Sequence, residues 1–170
     1  MFDTEARRRL IRASGLKQGR VLDVGMGECA CMSFCLAKRG LDVIGIDASS
    51  HAVHDARKNA ERRRFKGKFH ARRADAEHLS FQDGEFDAVV AYHSLHHVGD
   101  VRRVLGEMYR VCRKGGLVLI SDFHRQGQKA CGEELGGDTY LGRIEQWLTE
   151  RMRTVRKLRT RLNVMLVCEK

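Results

Sequence analysis

The 170-residue chain predicts an α/β fold: a doubly wound sheet of five parallel strands plus a C-terminal antiparallel hairpin, with helices on both faces. Three observations carry that reading. Short apolar runs alternate with helical patterns along nearly the whole sequence, as they do where crossover helices join parallel strands. The first such run leads directly into a glycine turn, Gly25-Met26-Gly27, that opens a helix. The last two runs lie two residues apart, which suits a tight hairpin rather than another crossover.

In chain order, Asp3 to Ala13 reads as a leading helix. Residues 20–24 (RVLDV), 42–46 (DVIGI), 86–92 (FDAVVAY) and 116–122 (GLVLISD) read as strands, with 68–73 (KFHARR) a weaker one between the second and third of these. Helices at about 28–39, 49–63 and 100–113 connect them. The last of these is the clearest, because Val101, Val104, Leu105, Met108, Val111 and Cys112 repeat at helical spacing behind an Asp100 cap. A further helix at 138–151 turns Leu141, Ile144 and Leu148 inward, and VRKLRT (155–160) and NVMLVCEK (163–170) form the hairpin. Residues 1–170 are thus expected to form one domain, with a leading helix (1–14), a core (15–125) and a helix plus hairpin (126–170).

Apolar residues at 42%, charged residues at 32% and no proline describe an ordered globule rather than a disordered chain. Met1 to Arg12 is charged, and no run approaches the roughly 20 apolar residues of a bilayer span, so a cytoplasmic protein is expected. Six cysteines without an export signal then read as reduced thiols. Cys29, Cys31 and Cys35 cluster without C-x-x-C spacing, which favours small core residues over metal ligands, and no metal is expected. The net charge of +10 is uneven: Arg57 to Arg73 holds nine basic residues against one acid, and Arg151 to Arg161 six against none. Either run suits a phosphate backbone, but with few aromatic residues for stacking the solvated-face reading is preferred.

The chemistry concentrates at strand ends. Gly25 and Gly27 let the backbone approach a ligand closely, and by spacing alone they also fit a dinucleotide fingerprint. Local charge distinguishes the two: Asp23 and Glu28 flank the turn and repel pyrophosphate but attract a cationic ligand such as S-adenosylmethionine, with its sulfonium and ammonium groups. Asp47 follows Gly25 by twenty-two residues, near the spacing of a ribose-binding acid, and its carboxylate can take both ribose hydroxyls. A helix cap is the competing role for Asp47 and Ser49. Asp75 could accept from an adenine amino group, with Ala76 leaving room for the ring.

The segments VLDVGMGEC, GIDAS, ADAEHLSF, FDAVVAYHSLHHV and EMYRVCRKGGLVLISDF resemble the successive motifs of class I, Rossmann-like S-adenosylmethionine-dependent methyltransferases. The resemblance covers roughly residues 15 to 125 and is nearest to the small-molecule subgroup that includes ubiquinone and menaquinone biosynthesis. It implies that Asp23, Gly25, Met26 and Gly27 face the methionine part of the cofactor, Asp47 and Ala48 the ribose and adenine, Asp75 and Ala76 the adenine, and Tyr92 and His93 its open side. A small-molecule acceptor is the implied partner. An RNA or protein methyltransferase using a basic face, a noncatalytic adenosyl-binding module and a NAD-type protein are the rivals. Two departures stand out: Cys29 replaces the third glycine of the first motif, and Lys114 the proline before Gly115-Gly116. The asparagine-proline-proline-aromatic motif of nucleic-acid base methylases is absent at Tyr92 to Leu95. Base candidates are His93, His96, His97, Asp122 and His124, with His93 preferred. The short stretch from Phe123 to Thr139 is the expected acceptor-binding insertion.

Overall fold

The structure is a computed structural model that describes residues 4–124, 126, 127, 129 and 137–170. Its elements are α1 (Thr4–Ser14), β1 (Arg20–Val24), α2 (Cys31–Lys38), β2 (Asp42–Asp47), α3 (Ser50–Glu61), β3 (Phe69–Arg73), β4 (Phe86–Tyr92), a 3-10 turn (Leu95–His97), α4 (Val101–Val111), β5 (Cys112–Phe123), α5 (Gly137–Thr149), β6 (Thr154–Arg159) and β7 (Asn163–Glu169). The sheet order is β3-β2-β1-β4-β5-β7-β6. The first five strands pair in parallel, and β7 runs antiparallel between β5 and β6. The expected doubly wound sheet with its terminal hairpin is therefore present.

Alternation along β1 shows why helices are needed on both faces. Leu22 and Val24 point into a core completed by Val104, Leu105, Met108 and Val111 of α4 and by Leu141, Ile144 and Leu148 of α5. Val21 points the other way, into a core with Leu10 and Ile11 of α1 and Met32 and Leu36 of α2. Beside it α3 packs Val53 and Ala56 against Phe34 and Ala71. Burial of this apolar surface, at about 25 cal/mol per Å2, holds the layers together.

Several boundaries differ from the sequence reading, each for a local reason. Helix α2 starts at Cys31 rather than near 28 because Ala30 adopts a left-handed conformation, φ 42°. Helix α4 stops at Val111 and β5 starts four residues early, because Cys112 turns extended (φ −75°, ψ 131°) and pairs with Phe86 across a bulge. At Gly115 (φ 68°) the backbone bends to donate to the Lys170 carbonyl, a turn built without proline at Lys114. The hairpin loop has three residues, not two: the Thr160 amide donates to the Asn163 carbonyl (2.9 Å) and the Asn163 amide to Thr160 Oγ1 (3.1 Å).

Much of the positive charge has structural partners. Arg57 donates to the Ala71 carbonyl, Arg73 to that of Ala48, and Arg63 lies over the Phe34 ring at 4.9 Å. In the second basic run Arg151 lies over Trp147 at 4.6 Å, and Arg153 and Lys157 pair with Glu169 and Glu145. Strands β3 and β6 form the sheet edges, and their exposed arginines discourage pairing with another chain.

Arg110 of α4 anchors the loop that precedes β4. Its guanidinium donates to the carbonyls of Leu79 and Phe81 (both 2.8 Å), to Asp83 and to Glu107, while Glu107 accepts from the Leu79 amide. The Arg110 hydrogen bond holds the Glu107 carboxyl below the usual carboxylate range. Substituting Arg110→Met keeps the apolar stem but strips the loop of these bonds. The expected loss is about 2 kcal/mol in chemical denaturation, with amide exchange accelerated across residues 79–85 and not in the sheet.

Candidate active site

The strand order reverses between β1 and β4, since the chain winds outward through β2 and β3 on one side and β5 on the other. Open sheets of this kind bind ligands outside the carboxyl ends of the strands at such a reversal. The glycine turn after β1 lies there. The Gly25 and Met26 amides donate to the Ile46 carbonyl at the end of β2 (2.9 and 3.0 Å). Gly25, at φ 69°, rests against Ser94 of the β4 side so closely that a Cβ would come within 2.4 Å of the Ser94 Cβ. Gly27 has φ 63°, but a Cβ there would meet nothing within 4 Å, because the space in front of it is the cleft.

Two adjoining cavities share Gly25, Gly27, His93 and His97. One, about 520 Å3, is lined by Asp47, Ala48, Asp75, Ala76 and Glu77 among others. The second, about 480 Å3, is lined by Arg7, Asp23, Met26, Cys29, Cys31, Tyr92, His96 and Phe123 among others. The structure thus gathers every cofactor-binding residue expected from the sequence around one cleft.

The Asp47 carboxylate joins two loops. Its Oδ2 accepts from the Gly27 amide (3.0 Å) and its Oδ1 from the Ser49 amide (2.9 Å). The cap of α3 is Ser49, whose hydroxyl accepts from the Ala52 amide. Each carboxylate oxygen retains a further lone pair that a hydroxyl can use. Exposed Asp75 accepts from the Glu77 amide (2.9 Å), and Glu77 in turn accepts from the Asp100 amide at the start of α4 (2.8 Å).

Asp23 is 1% exposed beneath α2 and accepts from Ser33 Oγ at 2.6 Å through Oδ2. Its Oδ1 is buried without a protein hydrogen-bond partner. Burial dominates over that hydrogen bond and pushes the carboxyl up to about 6. Arg7, which sequence reasoning missed, brings a buried Nε with no protein partner to the same cavity. Nothing local marks Arg7 among the neighbouring arginines of α1; only the packing of that helix singles it out.

His93 takes φ 53°, unusual outside glycine. Its ring lies between Tyr92 (4.2 Å between centroids) and Phe123 (4.0 Å), and Nε2 meets Asn163 Oδ1 of β7. His96, by contrast, is held through Nδ1 by Asp122 Oδ1 at 2.7 Å, with 2% and 1% of the two side chains exposed. Of the other base candidates, exposed His97 lines both cavities, while His124 Nδ1 accepts from the Gln126 amide. Asn163 carried no signal in the sequence, because β7 reaches the site only through its pairing with β5, whereas Phe123 was read only as the start of the expected acceptor insertion. Most of the expected acceptor insertion, including Cys131, lies outside the described residues. Cys29 lines the second cavity with no positive φ, so its backbone does not require the missing glycine.

Residues 22–120 match the family described as a methyltransferase domain. The chain belongs to this family. The methyltransferase domain is 38% identical over 120 residues to a phosphatidylethanolamine N-methyltransferase from Cereibacter sphaeroides, covering 70% of this chain and 58% of the relative. It is 37% identical over 108 residues to a demethylmenaquinone methyltransferase from Thermus thermophilus, covering 61% and 47%. The chain therefore spans about half the length of these relatives. A solved S-adenosylmethionine-dependent methyltransferase from Methanosarcina mazei shares the fold, with a TM-score of 0.75 at 24% identity over 95% of this chain and 96% of that one. Among the described residues, no helix is long and apolar enough to cross a membrane.

The buried Asp23 gives a pH test. Its folded value of about 6 exceeds the ordinary 3.8, so the folded chain binds the proton more tightly. That stabilisation is complete below about pH 4 and is lost as pH rises through about 6. Between pH 5 and 7.5 the melting temperature should fall by about 4 °C, which corresponds to a loss of about 1.4 kcal/mol. In Asp23→Asn, whose amide oxygen can still accept from Ser33, calorimetric scans across this range should show that dependence flattened.

Proposed function

We propose that this methyltransferase domain binds S-adenosylmethionine and directs its methyl group to a small-molecule acceptor, with residues 1–170 acting as one unit around the donor-binding core. The observation that carries this reading is the cleft shared by two cavities, with Gly25, Gly27 and His93 at their junction. The residues fit the donor part by part. The open space before Gly27 admits a ligand against the backbone. The buried Asp23 Oδ1 has capacity for an ammonium group, and the buried Arg7 Nε for a carboxylate, so the cavity answers both ends of an amino acid. Met26 supplies apolar wall beside them. Asp47 and Ala48 face the ribose, Asp75 and Ala76 the adenine, and Tyr92 and His93 the side open to the acceptor.

When bound, S-adenosylmethionine supplies an activated methyl on a sulfonium, so the chain's own work is positioning and exclusion of water. The stacked rings of Tyr92, His93 and Phe123 form the wall of the acceptor side. The Asn163 contact fixes the His93 ring as part of this wall. A proton released by the acceptor passes to His96, whose imidazole Asp122 orients through Nδ1. His93, the base expected from the sequence, lines both cavities and is the alternative in this reading. The relatives' names support a small lipid or quinone acceptor class. The extensive structural contacts of the arginines weigh against a nucleic-acid face.

The test is isothermal calorimetry with S-adenosylhomocysteine and NADH on the same protein. S-adenosylhomocysteine should bind and NADH should not; the reverse preference overturns the reading. Asp47→Ala should weaken S-adenosylhomocysteine binding by about tenfold or more, with circular dichroism confirming a folded variant.

A further inference from the structure

Helix α1 divides its side chains three ways. Ala6, Leu10 and Ile11 are buried against the sheet, and Arg7 reaches the cleft at the glycine turn. On the outer side Glu5, Arg8, Arg9 and Arg12 recur at helical spacing and line a separate groove of about 670 Å3, completed by Leu158 of β6. Two hydrogen bonds stitch the helix to that strand. Arg9 donates to the Arg159 carbonyl (2.9 Å), and Arg156, two residues from Leu158 on the same face of β6, donates to the Ala13 carbonyl. The groove therefore has fixed sides.

Its charge is one-sided. Arg8, Arg9 and Arg12 are exposed there, Arg156 stands at its edge, and among the described residues Glu5 is the single acid that lines it. The α1 arginines belong to neither of the two basic runs, whose members are largely occupied by carbonyls, carboxylates and rings. A guanidinium that gives one nitrogen to a carbonyl keeps further N–H donors, in the planar fork that matches phosphate oxygens. No aromatic side chain is among the described residues lining the groove, so it offers no stacking surface to nucleic-acid bases. Thr4, at the start of α1, lines both this groove and the cavity that holds Arg7 and the glycine turn. Groove and cleft thus share a wall.

We propose that the α1–β6 groove docks the domain on a bilayer surface rich in anionic phospholipid, its arginines holding headgroup phosphates while the adjoining cleft faces the lipid. Negative headgroups attract clustered arginines and hold them within a Debye length of the surface. Their phosphodiester oxygens accept charge-assisted hydrogen bonds from the guanidinium forks. Among the described residues no helix crosses a membrane, so the contact is peripheral and reversible by salt. Because Thr4 joins the groove to the cleft, docking brings a lipid or quinone acceptor to the cleft at headgroup depth. That delivery rests on the acceptor reading above; the attraction to anionic lipid does not.

The experiment is cosedimentation of the whole chain with vesicles of phosphatidylcholine alone and of phosphatidylcholine with about one-third phosphatidylglycerol. The chain should bind the anionic vesicles, not the neutral ones, and be released at about 0.5 M sodium chloride. Arg8→Gln combined with Arg12→Gln should weaken that binding by about tenfold or more, with the circular dichroism spectrum and the calorimetric affinity for S-adenosylhomocysteine unchanged. Arg8→Lys combined with Arg12→Lys, which keeps the charge, should retain most of it. Equal binding to neutral vesicles, or undiminished binding by the glutamine variant, overturns the docking surface. So does displacement from the anionic vesicles by single-stranded RNA at equal phosphate concentration, which marks a nucleic-acid face instead. Calorimetry on the same sample separates the two readings: S-adenosylhomocysteine bound without vesicle binding overturns the docking alone, and vesicle binding without S-adenosylhomocysteine binding overturns the cofactor reading and leaves the docking.

Discussion

The close approach of the β1 turn to the start of the 3-10 segment after β4 is the constraint on which the site depends. Ser94 leaves no room for a side chain at Gly25 and donates its hydroxyl to the Val24 carbonyl at 2.7 Å, closing the sheet behind the turn. With that wall fixed, the next amides reach Ile46 and the Gly27 amide reaches Asp47. The ends of β1, β2 and β4 are thereby locked into one rim, and the cleft is the volume this rim cannot fill. Preorganisation of this kind lets a ligand bind without ordering the backbone first.

Charge is arranged around that rim in opposition. Burial raises the Asp23 carboxyl to about 6, which leaves it largely ionised at neutral pH, and Arg7 extends a cation into the same cavity from α1. Asp23 and Glu28 alone would make the turn purely acidic. The folded cavity is mixed, which suits a zwitterionic amino-acid group better than a simple cation. On the acceptor side the polarity is likewise paired: Asp122 faces His96, and Asn163 faces His93. The sheet supplies these partners from β5 and β7, far along the chain from the histidines they hold.

The legible part of the fold was the part encoded locally. The apolar runs of β1 and β4 were bounded correctly because both strands are buried in the sheet interior, where composition is nearly continuous. The α4 stripe was equally plain, since one face must meet the sheet over three turns. Where boundaries moved, a backbone dihedral or a cross-strand partner decided. Ala30 turns left-handed without being glycine, and Cys112 leaves the helix to pair with Phe86. Neither event has a residue-type signature.

The sequence by itself determined the winding of the chain, the family and the residues of the glycine and acidic motifs, because each is written in spacing along a single strand-turn-helix unit. Tertiary structure decided what those residues face. Only the pairing of β7 with β5 brings Asn163 to His93, and only the packing of α1 on the sheet carries Arg7 to the glycine turn. The physical reason is range: periodicity and turn chemistry act over a few residues, whereas the partners of a buried polar group are chosen by whichever distant segments burial of the apolar core forces together.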